Sequence, residues 1–149
     1  MREILFRAKT FDTKEWVYGY ACKTTDGDWT LTDDVYLTKD SCNENIYTSN
    51  DFCINDETIG QFTGVIINGE KVFEGDIIEA SLSGGVYRGF SWGNQVVVFK
   101  QCAFGLLNYR NVFTPFSSYS PYIKFDKKGN IYDNPEIFNG DDWWKKKNS

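Results

Sequence analysis

Three acidic residues that stand close together, Glu74, Asp76 and Glu79, are the first candidates for chemistry in this sequence. Neighbouring carboxylates can move protons to and from a substrate, so the cluster suggests a carboxylate site. The residue between the first two is Gly75, and a Glu-Gly-Asp run is typical of a tight turn in which Asp accepts hydrogen bonds from backbone amides. We therefore interpret these carboxylates as turn residues and predict no catalytic residue among them.

The sequence contains no histidine, which removes most of the familiar catalytic and metal-binding arrangements. Nucleophiles activated by histidine and zinc sites built on histidine are excluded. No two of the four cysteines form a C-x-x-C motif, so neither a zinc ribbon nor a thioredoxin-like redox motif is present. The acidic group Asp26, Asp28, Asp33 and Asp34 lacks the spacing of an EF-hand loop, and we interpret it as solvated turn carboxylates. We predict a protein without enzymatic activity, metal or cofactor.

Residues 61–64, Gln-Phe-Thr-Gly, place polar groups next to an aromatic ring. In a functional role, Gln61 and Phe62 would contact a peptide or a nucleotide base. In the alternative interpretation, Phe62 enters the core, while Gln61 and Thr63 bind backbone groups that would otherwise be buried without a partner. We favour the alternative and keep Gln61 and Phe62 as candidate binding residues.

Aromatic residues supply the other candidates for binding. Trp143 and Trp144 precede three lysines, a composition that suits stacking on nucleic-acid bases, an anionic membrane surface or a partner protein. Two aspartates directly upstream weaken the basic character, and we favour a frayed tail in which one or both tryptophans dock on the domain. Trp92 belongs to a larger aromatic set in the second half of the chain. Most of this set must fill the core, and a few members would line a groove for an extended ligand: Tyr87, Phe90, Trp92, Phe104, Tyr109, Phe113, Phe116, Tyr119 and Tyr122.

Length and composition indicate one compact intracellular domain, residues 1–149. The formal net charge of −5 favours solubility and argues against non-specific binding to phosphate backbones. The first residues lack the apolar region of a signal peptide, and no stretch is long enough to span a membrane. We therefore expect a cytoplasmic protein without membrane contact, whose cysteines stay reduced as buried or inert thiols: Cys22, Cys42, Cys53 and Cys102.

Short strands separated by turn residues predict a mainly β fold. Asn68-Gly69 is the strongest hairpin signal, because both residues tolerate the positive φ that tight turns need. The largely β-branched run at 95–99 predicts a strand covered on both faces. Residues 33–55 carry the weakest pattern and predict either short strands or an elaborated loop. The sequence Asn-Pro-Glu at 134–136 predicts the start of a short C-terminal helix.

Three local patterns resemble the YopX family of bacteriophage proteins, and they occur in the family's order over nearly the whole chain. The resemblance implies an SH3-like small β-barrel or roll, centred on about residues 58–132 and elaborated with extra hairpins and a short C-terminal helix. It also implies a phage or prophage origin. Because the family is uncharacterised, it implies no activity and no functional residue. The patterns lie at 7–9 with 16–19, at 58–64 with 72–78, and at 129–136.

We predict an uncharacterised phage or prophage accessory protein that works without enzymatic activity, as a β-barrel interaction module for a host or phage protein in the cytoplasm of the bacterial host cell. The sequence leaves room for self-association, because small aromatic-rich β domains often pair. One alternative is a nucleic-acid-associated protein of phage replication or regulation, which the net acidity counts against. Another is an enzyme that acts through carboxylates. The candidate binding residues are Gln61, Phe62, Trp92, Trp143 and Trp144.

Overall fold

The computed structural model describes residues 3–39 and 41–138, and in these residues the protein is mainly β. The strands form two antiparallel sheets, and the described residues contain no α-helix. This confirms the predicted class, and composition is the cause, because aromatic and β-branched side chains fit a pleated, half-buried surface. The strands are β1 Phe6–Thr10, β2 Trp16–Lys23, β3 Trp29–Lys39, β4 Asn45–Ile67, β5 Glu70–Phe73, β6 Asp76–Leu82, β7 Ser91–Lys100, β8 Ala103–Leu107, β9 Phe113–Pro115 and β10 Ile123–Asn130.

Residue contacts divide the chain into two compact units, Met1–Phe62 and Thr63–Ser149. Strands β1 to β3 belong to the first unit and β5 to β10 to the second, while β4 passes from one to the other. The single domain expected over residues 1–149 stays a prediction.

In the first unit, each of the strands β1 to β4 pairs with two of the others. Strand β1 pairs with β2 and β4, and β3 also pairs with β2 and β4, all antiparallel. Ala8, Leu31 and Ile54 are buried at the centre of its core. The strands approach closely at Gly19, where an added Cβ would lie 2.3 Å from the carbonyl oxygen of Thr32. Glycine is therefore required at this position for the backbones to pack.

In the weakly patterned segment 33–55, residues 33–39 and 45–55 form an antiparallel pair of strands. Its register aligns Val35 with Ser49 and Lys39 with Asn45, after an irregularity that follows Thr32. Of the two interpretations, the elaborated loop is wrong and the strands are right, although they are longer than the sequence predicted. Backbone hydrogen bonds hold such a pair whatever its side chains are, which explains the weak sequence signal.

In the second unit, a five-stranded sheet has the order β10-β6-β7-β8-β9. Successive residues of its central strands enter two different cores. Ile77 and Val96 pack in one core, and Ile78 and Val97 pack in the other. The first part of the run at 95–99 is thus covered on both faces as predicted, whereas the ring of Phe99 is exposed.

The second unit also contains the hairpin of β4 and β5, and its turn is the predicted one. Asn68 has φ 50° and Gly69 has φ 83°. Two successive positive φ values match the twist of the strands on either side, and Asn-Gly is the pair that adopts them most readily.

Two features of the predicted fold are not confirmed. The SH3-like barrel over 58–132 is one, because the sheet of β6 to β10 is open, with β10 and β9 at its two ends. The C-terminal helix is the other, because Pro135–Ile137 form only a 3₁₀ turn, as do Phe116–Ser118. Asn134 gives no cap to that turn, since its Oδ1 lies 3.4 Å from the Asn130 amide nitrogen and accepts a hydrogen bond from it. No helix in the described part of the chain has the length and apolar character needed to cross a membrane.

Candidate binding site

The buried carboxylate of Asp76 has a structural role in the turn between β5 and β6. Asp76 is fully buried, and its Oδ2 accepts a hydrogen bond from the Phe73 amide nitrogen at 2.9 Å. The same oxygen lies 3.3 Å from Nζ of Lys127. Gly75, with φ 85°, supplies the left-handed conformation that the turn requires. These contacts support the turn interpretation over an acid–base site.

Glu79 is held by two polar neighbours. Its carboxylate accepts a hydrogen bond from the Ser91 hydroxyl at 2.6 Å and lies 2.9 Å from Nζ of Lys128. The hydrogen bond from Ser91, followed by the interaction with Lys128, lowers the pKa of Glu79 below its ordinary value of 4.5. A carboxylate with a lowered pKa is a poor proton donor at neutral pH. Within residues 3–39 and 41–138, no three acidic or thiol side chains meet in a way that would hold a metal ion.

In the Gln-Phe-Thr-Gly motif at 61–64, Phe62 and Thr63 follow the alternative interpretation, while the backbone role of Gln61 stays a prediction. Phe62 is 4% exposed. Thr63 is buried, and its hydroxyl donates to the Val72 carbonyl at 2.9 Å and accepts from the Val65 amide at 3.0 Å. Gln61 is half-buried and pairs across the strands with Phe6. The burial of Phe62 removes its ring from solvent, so a ligand role for Gln61 and Phe62 stays a prediction that this geometry does not favour.

Trp92 lines a concave surface in the second unit. Its volume is about 300 Å³, and its other lining residues are Gly93, Asn94 and Tyr109. We call these four residues the aromatic pocket. Trp92 is 43% exposed and Tyr109 51% exposed, so both rings can contact a ligand. The pocket thus combines two accessible rings with one amide side chain, a composition typical of binding sites.

Hydrogen bonds and one ring contact hold the residues around the aromatic pocket in place. The amide of Asn94 donates to the Ile137 carbonyl at 2.7 Å, which ties the start of β7 to the C-terminal 3₁₀ turn. Phe90 packs edge-on against Trp92, with 5.3 Å between the ring centroids. After β8, the side-chain oxygen of Asn108 accepts hydrogen bonds from two backbone amides, those of Arg110 and Val112. The pocket is therefore built before a ligand arrives, which reduces the entropy cost of binding.

Positive charge accompanies the aromatic pocket. The guanidinium of Arg110 lies 5.3 Å from the centroid of the Tyr109 ring, within the range of a cation–π contact. The surrounding sequence is unusual, because residues 80–125 contain none of the chain's 21 acidic residues. The same stretch contains four of its 16 basic residues: Arg88, Lys100, Arg110 and Lys124. A protein of net charge −5 thus keeps one segment free of carboxylates, and the residues that line the pocket belong to that segment. From the neighbouring strand, Glu79 pairs in register with Asn94, and its carboxylate lies 2.9 Å from Nζ of Lys128.

Sequence reasoning found part of this site. Trp92 was a candidate, while Tyr109 and Phe90 stood in the aromatic set without separation from core residues. Asn94 and Arg110 were missed, and the acid-free stretch was the signal that would have drawn attention to Arg110. Trp143 and Trp144 lie outside the described residues.

The four cysteines are exposed, so the expectation of buried thiols is wrong: Cys22, Cys42, Cys53 and Cys102. Whether they are inert stays a prediction. Their exposure follows from their positions, two of which lie on strands that alternate between core and solvent.

The fold and the pocket together define a mainly β protein of two antiparallel sheets with an exposed aromatic concavity. The family model described as YopX protein matches residues 5–139, so the chain belongs to the YopX family. The solved structures include a similar one, the X-ray crystal structure of protein yopX from Bacillus subtilis. It has 16% sequence identity and a TM-score of 0.55, and the match covers 92% of this chain and 98% of that chain. At this identity the likeness concerns the fold alone. No curated protein matches the chain.

Proposed function

We propose that this YopX-family chain is a non-enzymatic accessory protein that binds another protein through the aromatic pocket. Its origin would be a phage or prophage, and its place of action the cytoplasm of the bacterial host. The observation that supports the proposal is the exposure of Trp92 and Tyr109, which line the same concavity. Aromatic residues of this kind are enriched at the centres of protein interfaces, where they contribute most of the binding energy.

The chemistry of the aromatic pocket supports binding rather than catalysis. Its lining residues are two aromatics, a glycine and an asparagine. They include no carboxylate, thiol or amine, and the phenol of Tyr109 is the one ionisable group among them. The carboxylates that suggested an enzyme are engaged elsewhere. Asp76 is bound to a backbone amide, and Glu79 is bound to Ser91 and Lys128. The SH3-like barrel implied by the family resemblance is not needed for this proposal and stays a prediction.

Nucleic-acid association is the second candidate, and the acid-free stretch at 80–125 is what favours it. Exposed rings next to cations can stack on the bases of a single strand. Salt-dependent binding of labelled single-stranded oligonucleotides tests this candidate. If no oligonucleotide binds even at low salt, it is excluded.

A selection from a library of random displayed peptides tests the proposal without knowledge of the host. We expect clones that bind the wild-type protein and lose binding to the variant Trp92→Ala. The matched control is Phe99→Ala, which removes an equally exposed ring from the same strand at a distance of about 23 Å. Circular dichroism checks that both variants are folded. If every clone binds Trp92→Ala as well as wild type, the aromatic pocket is not the binding site and the proposal fails.

A further inference from the structure

We infer that the aromatic pocket recognises an acidic peptide segment that carries one aromatic side chain. The ring of the peptide would lie in the pocket against Trp92 and Tyr109, and a neighbouring carboxylate would pair with Arg110. This inference rests on the proposed function, and it adds the chemical class of the partner.

The size of the aromatic pocket sets how much of the peptide it can hold. Pockets that enclose whole small molecules span roughly 300 to 1,000 Å³, so a volume of about 300 Å³ lies at the lower end. A space of this size suits one side chain of a partner. Its rings favour an aromatic occupant, because edge-to-face and stacked aromatic pairs add to the gain from burial.

The positive charge of Arg110 favours a carboxylate next to the aromatic side chain of the peptide. The guanidinium of Arg110 lies 5.3 Å from the centroid of the Tyr109 ring, and that ring lines the aromatic pocket. A guanidinium over an aromatic face can still donate two parallel hydrogen bonds to a carboxylate. Arg88 offers a second cation on this segment. It lies in the hairpin turn, two residues before Phe90, and the ring of Phe90 contacts Trp92. Residues 80–125 contain no acidic residue, and Glu79, which pairs with Asn94 across the strands, is already bound to Ser91 and Lys128.

The number of cations favours a peptide over a nucleic acid. A single strand carries one negative charge per nucleotide, and its affinity depends on how many phosphates meet a Lys or Arg. The acid-free stretch supplies four basic residues, and only Arg110 contacts a residue that lines the pocket. The chain as a whole has a net charge of −5, which repels a long polyanion more than a short peptide with a few carboxylates. A few basic residues match the few carboxylates of a short peptide.

Fluorescence anisotropy of labelled peptides with the full-length protein tests the inference. The first probe has the sequence Ser-Asp-Asp-Trp-Asp-Asp-Ser. A second replaces every Asp by Asn, and a third replaces the Trp by Ala. We expect the acidic aromatic peptide to bind about tenfold more tightly than either of the other two at physiological ionic strength.

Matched protein variants separate a local effect from a change in net charge. Arg110→Glu and Lys100→Glu alter the charge equally, but Lys100 lies at the far end of β7, about 26 Å from Trp92. That distance exceeds the Debye length of about 8 Å at physiological salt. We expect Arg110→Glu to weaken binding of the acidic peptide about tenfold and Lys100→Glu to change it by less than about twofold.

Each outcome has a defined meaning. Equal loss in the two charge variants, or equal affinity for the Asp and Asn peptides, overturns the inference. Tighter binding of an oligothymidylate than of the acidic peptide overturns it in favour of a nucleic acid. If displayed clones depend on Trp92 but carry no acidic residues, the inference fails while the proposed function stands. If no clone depends on Trp92, the proposed function itself fails.

Discussion

Replacement of Asp76 by Ala is expected to lower the free energy of unfolding by about 3 kcal/mol. Asp76 is fully buried, and its Oδ2 is the acceptor for the Phe73 amide at 2.9 Å. Alanine leaves that buried amide without this acceptor and leaves Lys127 without its buried counter-charge. The loss therefore combines a lost backbone hydrogen bond with a broken ion pair.

The size of the effect follows from these contacts. A hydrogen bond to a charged acceptor contributes about 1.5–3 kcal/mol, and breaking a buried ion pair costs about 3–5 kcal/mol when the remaining charge is uncompensated. Here Lys127 keeps a contact with Glu70 at 3.5 Å and donates to the Lys71 carbonyl at 3.3 Å, so the lower end applies. Asp76→Asn retains an acceptor for the amide and should cost roughly half as much.

Urea unfolding monitored by circular dichroism measures the effect. With a slope of about 2 kcal/mol per molar urea, Asp76→Ala should lower the midpoint by about 1.5 M. Glu70→Gln is the matched control, because it removes the exposed partner of the same Lys127 and should cost less than about 1 kcal/mol. If Asp76→Ala unfolds at the same urea concentration as Glu70→Gln, the structural role assigned to the buried carboxylate is wrong.

Three further substitutions test the packing and electrostatics of the second unit. Gly105→Ala would place a Cβ 2.3 Å from the Thr114 carbonyl oxygen and should lower stability by about 2–3 kcal/mol in thermal melts, whereas Gly84→Ala, with no atom within 4 Å, should be nearly neutral. Thr63→Val keeps the shape of the side chain but removes two hydrogen bonds, and a loss of about 1–3 kcal/mol is expected in urea; no loss would contradict the role given to the hydroxyl. Because the pKa of Glu79 is lowered in the folded state, its contribution is present above pH 4.5 and is lost as the pH falls through the folded pKa. Glu79→Gln should therefore reduce the stability difference between neutral and acidic pH by up to about 1 kcal/mol, and an unchanged pH profile would refute this.

The parts of the fold that depend on local conformation could be predicted. The turn at 68–69 needs two positive φ values, which Asn and Gly adopt at little cost. The turn at 74–76 needs a glycine followed by a carboxylate that accepts a hydrogen bond from a backbone amide. In both places the residues that specify the structure are neighbours in sequence, so their types were sufficient.

The predictions that were wrong concern features set by strand pairing or by competition between hydrogen bonds. The predicted cap at Asn134 was lost because its side chain accepts a hydrogen bond from Asn130 instead. Segment 33–55 has little hydrophobic pattern, yet it forms paired strands whose register is set by the neighbouring chain. A pattern within one segment contains no information about such a partner.

By itself, the amino-acid sequence determined the β class, the tight turns, the absence of histidine chemistry and the stretch at 80–125 without acidic residues. The tertiary structure decided which aromatic rings face solvent. The antiparallel pairing that sets Val96 opposite Leu107 brings the start of β7 beside the residues after β8, and so places Trp92 and Tyr109 around one concavity. These two residues are 17 positions apart, and no local property of the chain relates them. The register of two hydrogen-bonded strands brings them together.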